Sequence, residues 1–127
     1  IKRCFEEVLQ ERFPIFSMIP ISEFGWDDEL SCLNNNSSCF NYRKIQGTDV
    51  LSDHSKGCAI DINPFNNPWV HKKFGNLPPG SVYDASKTGT ITKESVMVRV
   101  FESNGWSWGG DWRQPDYQHF YVKDFKL

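Results

Sequence analysis

Apolar residues recur at helical spacing in two stretches of the chain. In "IKRCFEEVLQERF", residues 1–13, the apolar positions are Cys4, Phe5, Val8, Leu9 and Phe13. This spacing predicts a helix that ends before the following proline. In "TKESVMVRVFESNG", residues 92–105, the spacing predicts a second helix, with Thr92 as its N-cap and Gly105 past its end. The apolar stripe of this helix is Val96, Val100 and Phe101.

The remaining patterns predict short strands separated by turns. "FNYRKI" (40–45), "CAIDIN" (58–63) and "HFYVKDF" (119–125) have the composition of strands, and "DDELSCL" (27–33) predicts a short helix. Three segments rich in Asn, Pro and Gly predict loops: "NNNSSC", "NPFNNPW" and "NLPPGS". Because helices and strands follow each other without a regular β-α-β alternation, we expect an α+β fold with a small antiparallel sheet flanked by helices.

The alternation in "CAIDIN" assigns its side chains to two faces. Successive side chains of a strand point to opposite faces, so the three apolar residues Cys58, Ile60 and Ile62 mark the core side. Asp61 then projects from the other face. Gly57 allows the chain to bend in front of the strand, which would bring His54 back over Asp61.

A second pair of polar residues stands near the end of the chain. Asp116 and His119 are three positions apart, which places them side by side if Pro115 starts a helical or 3₁₀ turn. His54, Asp61 and His119 would then supply two nitrogens and one oxygen to a metal. Three protein ligands with an open fourth position are typical of catalytic zinc. Asp116, one turn from a ligand, would be the general base.

Size and charge exclude some classes of protein. The chain has 127 residues, which predicts a single domain spanning residues 1–127. The formal net charge of −2 and the absence of a basic run argue against a nucleic acid partner. No apolar stretch reaches the roughly 18 residues that span a bilayer. Because the chain starts at Ile1 without a methionine, we expect the native N-terminus to be missing, together with any signal or anchor.

The four cysteines leave two interpretations open. No C-x-x-C pair is present among the cysteines, which are Cys4, Cys32, Cys39 and Cys58. Its absence argues against a structural zinc site. Cys32 and Cys39 flank a polar turn and could form a disulfide in an oxidising compartment. Four buried free thiols are the alternative.

Two segments resemble the signatures of a known peptidase family. "SDHSKGCAID" fits the motif S-x-H-x-x-G-x-A-x-D at each fixed position: Ser52, His54, Gly57, Ala59 and Asp61. "GWSWGGDWRQPDYQHF" is similar to the second signature, which ends in an acidic residue, two variable residues and His-Phe. The family comprises zinc D-alanyl-D-alanine carboxypeptidases and L-alanyl-D-glutamate endopeptidases, which cut peptidoglycan stem peptides. The tight resemblance covers residues 40–68 and 105–121.

The resemblance implies a role for each matched position. It implies a Hedgehog/DD-peptidase type of fold, Zn²⁺ as cofactor, and a periplasmic, cell-wall or extracellular location. Zinc would be bound by His54, Asp61 and His119, with Asp116 as general base. Arg43, at the position of the family's arginine ahead of the first motif, would stabilise the oxyanion of the intermediate.

Several roles have simpler alternatives. Taken alone, Arg43 has the pattern of a solvated strand residue. Ser52 would contact the substrate, and its simpler alternative is a turn-capping hydroxyl. Trp106 and Trp108 would wall a substrate groove, although core packing is the expected role for at least one of them. Asp111 would either orient a ligand histidine or lie in water. His71 belongs to neither motif, and we expect it to be a surface residue.

One departure from the pattern of the family bears on which bond is cut. Several carboxypeptidase members carry glutamate where this chain has Asp116, whereas aspartate is common in the endopeptidase branch. This favours hydrolysis of the L-alanyl–D-glutamate bond. The alternatives are D-alanyl-D-alanine carboxypeptidase activity at the same site, a non-catalytic zinc module of the same fold, and a binding domain without metal.

Overall fold

The computed structural model describes residues 1–123, which form three α-helices and two small antiparallel sheets. The helices are Lys2–Gln10 (α1), Asp28–Leu33 (α2) and Val96–Ser103 (α3). The strands are Ala59–Asp61 (β1), Trp69–His71 (β2), Gly75–Leu77 (β3), Ser107–Trp108 (β4) and His119–Tyr121 (β5). One sheet has the order β1-β5-β4, and β2 pairs with β3. This mixed composition agrees with the expected α+β class.

The core lies between the three-stranded sheet and helices α1 and α3. Cys4 and Val8 enter it from α1, and Phe101 from α3 packs with its ring centroid 4.6 Å from that of Phe120 on β5. Full burial of a side chain of this size stabilises the fold by about 1.5–3 kcal/mol. The sheet is therefore fixed on its core side, and its other side is available for polar residues.

The two long helices begin or end differently from the sequence prediction. Helix α1 ends at Gln10, and Arg12 adopts a left-handed conformation with φ 57° shortly after it. Leu9 lies within the helix, but its side chain is 77% exposed rather than buried. The N-cap of α3 is Ser95 and not Thr92, since the Ser95 hydroxyl accepts a hydrogen bond from the Val98 amide. The residues from Thr92 to Ser95 form a separate turn, closed by the Ser95 amide and the Thr92 carbonyl at 3.0 Å.

Strands are present within residues 58–63 and within the described part of 119–125, and the strand prediction for 40–45 was wrong. The first of these contains β1 and the second begins with β5, while residues 124–125 of the last prediction lie outside the described part of the chain. Residues 40–45 make only an isolated bridge from Lys44 to Leu51, because the backbone of Arg43 bonds instead to Ser52 and Ser55. The hairpin of β2 and β3 was missed because its prolines and asparagines resemble loop composition.

In residues 1–123, no helix has the length and apolar character required to cross a membrane.

Candidate metal centre

The pairing of β1 with β5 brings two polar side chains together on the sheet. Asp61 and His119 are directly opposite each other in the antiparallel register. The Asp61 carboxylate oxygen Oδ1 lies 3.0 Å from Nδ1 of His119. The predicted faces of β1 are confirmed, since Cys58, Ile60 and Ile62 are all buried in the core while Asp61 contacts His119.

His54 reaches the same point from a short 3₁₀ turn at Asp53–Lys56. The turn is capped at its start by the Ser52 hydroxyl, which accepts from the His54 amide, and it ends at Gly57 with φ 67°. A residue with a side chain would be strained at this positive φ, which explains why the motif has a glycine at this position. Nδ1 of His54 lies 2.6 Å from the Cys39 carbonyl oxygen. Because a carbonyl only accepts, Nδ1 carries the proton, and Nε2 of the neutral ring keeps its lone pair.

The three side chains form a compact donor set. Nε2 of His54 is 3.1 Å from Oδ2 of Asp61 and 3.3 Å from Nδ1 of His119. All three residues are buried, and their donor atoms lie within 4.8 Å of one another. For a tetrahedral ion with ligand bonds of about 2.0–2.1 Å, donor atoms stand about 3.3–3.4 Å apart. Two imidazoles and one carboxylate with this spacing therefore fit a divalent metal.

The electrostatics of this group favour a positive charge at its centre. Burial alone lowers the pKa of His54, but the negative charge of Asp61 and its hydrogen bond outweigh burial, so the pKa of His54 is raised. Burial alone raises the pKa of Asp61, and the opposing effects of His54 and His119 prevail and lower it. The same carboxylate charge that retains a proton on His54 would attract a cation.

Asp116 lies beside the donor set with one oxygen unpaired. A tight turn joins it to His119, whose amide donates to the Asp116 carbonyl at 3.2 Å, so the predicted turn is present as a single turn and not as a helix. The Asp116 residue is 9% exposed, and its Oδ1 has no hydrogen-bond partner among residues 1–123. Burial and then the charge of Asp61 raise the pKa of Asp116 well above its usual range. These are properties of a proton acceptor.

Gly109 determines how closely this turn can approach the sheet. A Cβ atom on Gly109 would lie 2.8 Å from the Asp116 carbonyl oxygen and 3.2 Å from Cβ of His119. The Gly109 carbonyl also accepts from the Asp116 amide at 3.0 Å. A larger residue at 109 would therefore push the turn away from the donor set.

Arg43 extends over the same region from an irregular segment. Its Nη2 lies 3.9 Å from Oδ2 of Asp61, and its Nε lies 3.0 Å from Oδ1 of Asp28. The Nε–H is not directed at that oxygen and has no hydrogen-bond partner in the described chain, so the contact with Asp28 is an ion pair. Asp28 is itself held by the side-chain amide of Asn41 at 2.9 Å.

Of the donor set, Asp61 faces a cleft with a volume of about 280 Å³. Its polar walls include Asp61, Asp116 and Arg43, together with the start of α2. Its apolar wall comes from the β2–β3 hairpin and the segment that follows it: Trp69, Leu77, Pro78 and Pro79. A cleft with one apolar wall and convergent charged groups is suited to holding a peptide next to a metal.

The structure places the other candidates away from this cleft. Trp108 is 5% exposed and donates its Nε1–H to the Tyr117 carbonyl, so it packs in the core. Asp111 pairs with Lys93 at 2.6 Å instead of orienting a ligand histidine. His71 is half-buried on β2, where its Nδ1 accepts from two backbone amides. Trp106 is half-buried against Phe101.

Ser52 and the cysteines also have simple structural roles. The Ser52 hydroxyl caps the turn that carries His54, so Ser52 has the turn-capping role that was the alternative to a substrate contact. All four cysteines are free thiols, so the Cys32–Cys39 disulfide is not formed. Burial raises the pKa of the Cys32 thiol well above its usual range, in keeping with an unreactive group.

Sequence reasoning missed two groups that hold the site together. One is the Cys39 carbonyl, a backbone acceptor that side-chain identity does not reveal. The other is Asp28, which the sequence presents only as an acidic residue at the start of a short helix. An acidic first turn is common in any helix, so no local signal connected Asp28 with Arg43.

Comparison with known proteins agrees with this geometry. The family model described as D-alanyl-D-alanine carboxypeptidase matches residues 46–122, more than half of the chain and including the three donor residues and Asp116. No curated protein and no solved structure matches the chain. The chain therefore belongs to the D-alanyl-D-alanine carboxypeptidase family, a family of metallopeptidases that act on peptidoglycan.

Proposed function

We propose that this protein is a zinc peptidase that hydrolyses a peptide bond in peptidoglycan stem peptides. The observation that carries this proposal is the convergence of His54, Asp61 and His119 within 3.0–3.3 Å, next to a buried and unpaired Asp116 oxygen. Zinc accepts nitrogen and oxygen ligands and uses three protein ligands in its catalytic sites. A purely structural site has no need of a neighbouring base.

The residues divide the chemistry between them. His54, Asp61 and His119 would hold the zinc, which when bound polarises a carbonyl and lowers the pKa of water to about 7. Asp116 takes the proton of the attacking water and returns it to the leaving amine. Arg43, 3.9 Å from Asp61, donates to the carbonyl oxygen as negative charge develops there.

Two bonds of the stem peptide are candidates. An aspartate at position 116 supports the L-alanyl–D-glutamate bond, since aspartate is the residue of the endopeptidase branch that the chain resembles. The name of the family supports the terminal D-alanyl–D-alanine bond. We propose the first as the principal activity and the second as its alternative. Either activity would operate in the periplasm, in the cell wall or outside the cell, where peptidoglycan is found.

Product analysis tests the proposal. Zinc-loaded protein is incubated with purified peptidoglycan, and the soluble products are analysed by mass spectrometry. A new amino group on D-glutamate identifies the endopeptidase, whereas free D-alanine identifies the carboxypeptidase. An Asp116→Asn preparation with the same zinc content is the control. A protein with stoichiometric zinc that releases neither product would refute the peptidase and favour a non-catalytic zinc module.

A further inference from the structure

We propose that Lys44 binds the substrate carboxylate that lies next to the scissile bond, on the side of the leaving amine. This inference rests on the proposed function and extends it to the way in which the cleft orients its substrate. Lys44 lies outside the segment that matches the family.

The cleft is lined by more negatively charged than positively charged side chains. Five carboxylates line it: Asp27, Asp28, Glu29, Asp61 and Asp116. Among the residues that line it, the cations are Arg43 and Lys44. A substrate carboxylate would be repelled along the wall formed by the start of α2, and it would be stable only next to a cation that is not already neutralised.

Arg43 is already engaged by two carboxylates. Its Nε is 3.0 Å from Asp28 and its Nη2 is 3.9 Å from Asp61, and only 27% of its side chain is exposed. Binding a substrate carboxylate there would require Arg43 to give up partners that are themselves poorly solvated. Arg43 is therefore better suited to donate to the carbonyl oxygen of the scissile bond than to bind a further carboxylate with a full negative charge.

Lys44 has a partner that it can exchange. Its Nζ is 2.7 Å from Oδ1 of Asp49, but 57% of the Lys44 side chain and 98% of the Asp49 side chain are exposed. Exposed pairs of this kind contribute little stability, so a carboxylate held in the cleft can displace Asp49. The Lys44 backbone is fixed by its bridge to Leu51, and Lys44 lines the cleft with a side chain that is more than half exposed, which we call the rim of the cleft.

The two candidate bonds share the chemistry that Lys44 would recognise. A terminal D-alanine carries a free carboxylate on the residue that leaves. A D-glutamate that continues the chain through its side-chain carboxyl also keeps a free α-carboxylate on the residue that leaves. One cation at the rim would therefore serve either bond, and it would set the direction in which the stem peptide lies.

The test uses two stem peptides that differ only at this carboxylate, one as the free acid and one as the carboxamide. With zinc-loaded protein, Lys44→Ala should raise KM for the acid about tenfold, because a lost contact of about 1.4 kcal/mol is a factor of ten. KM for the amide and the kcat values for both peptides should stay within about twofold of the wild type. Lys44→Arg should restore the acid preference. Lys56→Ala is the matched control, since Lys56 is also 57% exposed and paired with an aspartate but does not line the cleft.

A second variant separates recognition from a structural role of the ion pair. Asp49→Asn removes the competitor for Lys44, so it should lower KM for the acid; a purely structural pair would make Asp49→Asn and Lys44→Ala behave alike. An unchanged acid-to-amide ratio in Lys44→Ala would overturn the assignment while the peptidase activity stands. A zinc-loaded wild-type protein that cleaves neither peptide would overturn the proposed function and this inference together.

Discussion

Asp61 on β1 and His119 on β5 are cross-strand partners, and their side chains meet at 3.0 Å. The register of two three-residue strands thus sets the distance between two donor atoms that are 58 positions apart in the chain. A shift of one residue would turn one of these side chains to the opposite face of the sheet. Ile60 and Phe120 in the core prevent this shift, because each would then leave its buried position.

Replacement of the unpaired carboxylate should separate catalysis from metal binding. Asp116→Asn keeps the size of the side chain but cannot accept a proton, so we expect kcat to fall at least about 100-fold. Zinc content should stay at the wild-type level because Asp116 is not one of the three donors. Activity assays and elemental analysis measure the two quantities. Asp111→Asn, at an exposed carboxylate paired with Lys93, is the control and should retain activity. A fully active, zinc-loaded Asp116→Asn protein would remove Asp116 from the mechanism.

Removal of one imidazole should abolish both metal and activity. His54→Ala deletes one of three donors and leaves Asp61 buried with a single histidine partner. We expect elemental analysis to show zinc well below one equivalent. His71→Ala is the matched control, because His71 lies on β2 and is not among the donor residues. Unchanged zinc content in His54→Ala would refute this ligand.

Metal affinity should fall on acidification, and the fall should begin at a higher pH than it would for a histidine with an ordinary pKa. In the metal-free protein the pKa of His54 is raised, so Nε2 becomes protonated as the pH falls through that raised value and no longer binds metal. The lowered pKa of Asp61 keeps its carboxylate charged throughout this range. Below the raised pKa, affinity should fall at least about tenfold per pH unit, because metal binding must displace at least one proton from the two imidazole donors. Titration against a competing chelator at several pH values measures this slope, and an affinity that stays constant below pH 6 would contradict it.

Loss of the guanidinium should affect the reaction more than substrate binding. Arg43→Gln removes the proposed donor to the developing oxyanion, and loss of one such donor costs about 10²–10³ in kcat. KM should change little, since the contact strengthens only in the transition state. Steady-state kinetics on the stem peptide measures both constants. Arg113→Gln, at an exposed position, serves as the control. A rise in KM with unchanged kcat would instead make Arg43 a ground-state binding residue.

Much of the site was available from local patterns. The alternation of "CAIDIN" placed Asp61 opposite the core face, and the three-residue offset of Asp116 and His119 predicted their turn; the structure confirms both. These predictions succeeded because the period of a strand and the reach of a turn depend on adjacent residues alone. The strand predicted at 40–45 was wrong, because the backbone of Arg43 bonds to the turn that carries His54.

The sequence by itself determined which side chains could bind a metal and on which face of a strand Asp61 would stand. Only the tertiary structure decided that the Cys39 carbonyl fixes the protonated nitrogen of His54, that Asp28 pairs with Arg43, and that Trp108 lies in the core. The physical reason is that hydrogen bonds, ion pairs and burial depend on which distant segments pack together. That packing is set by the whole core and is not encoded in any single stretch of residues.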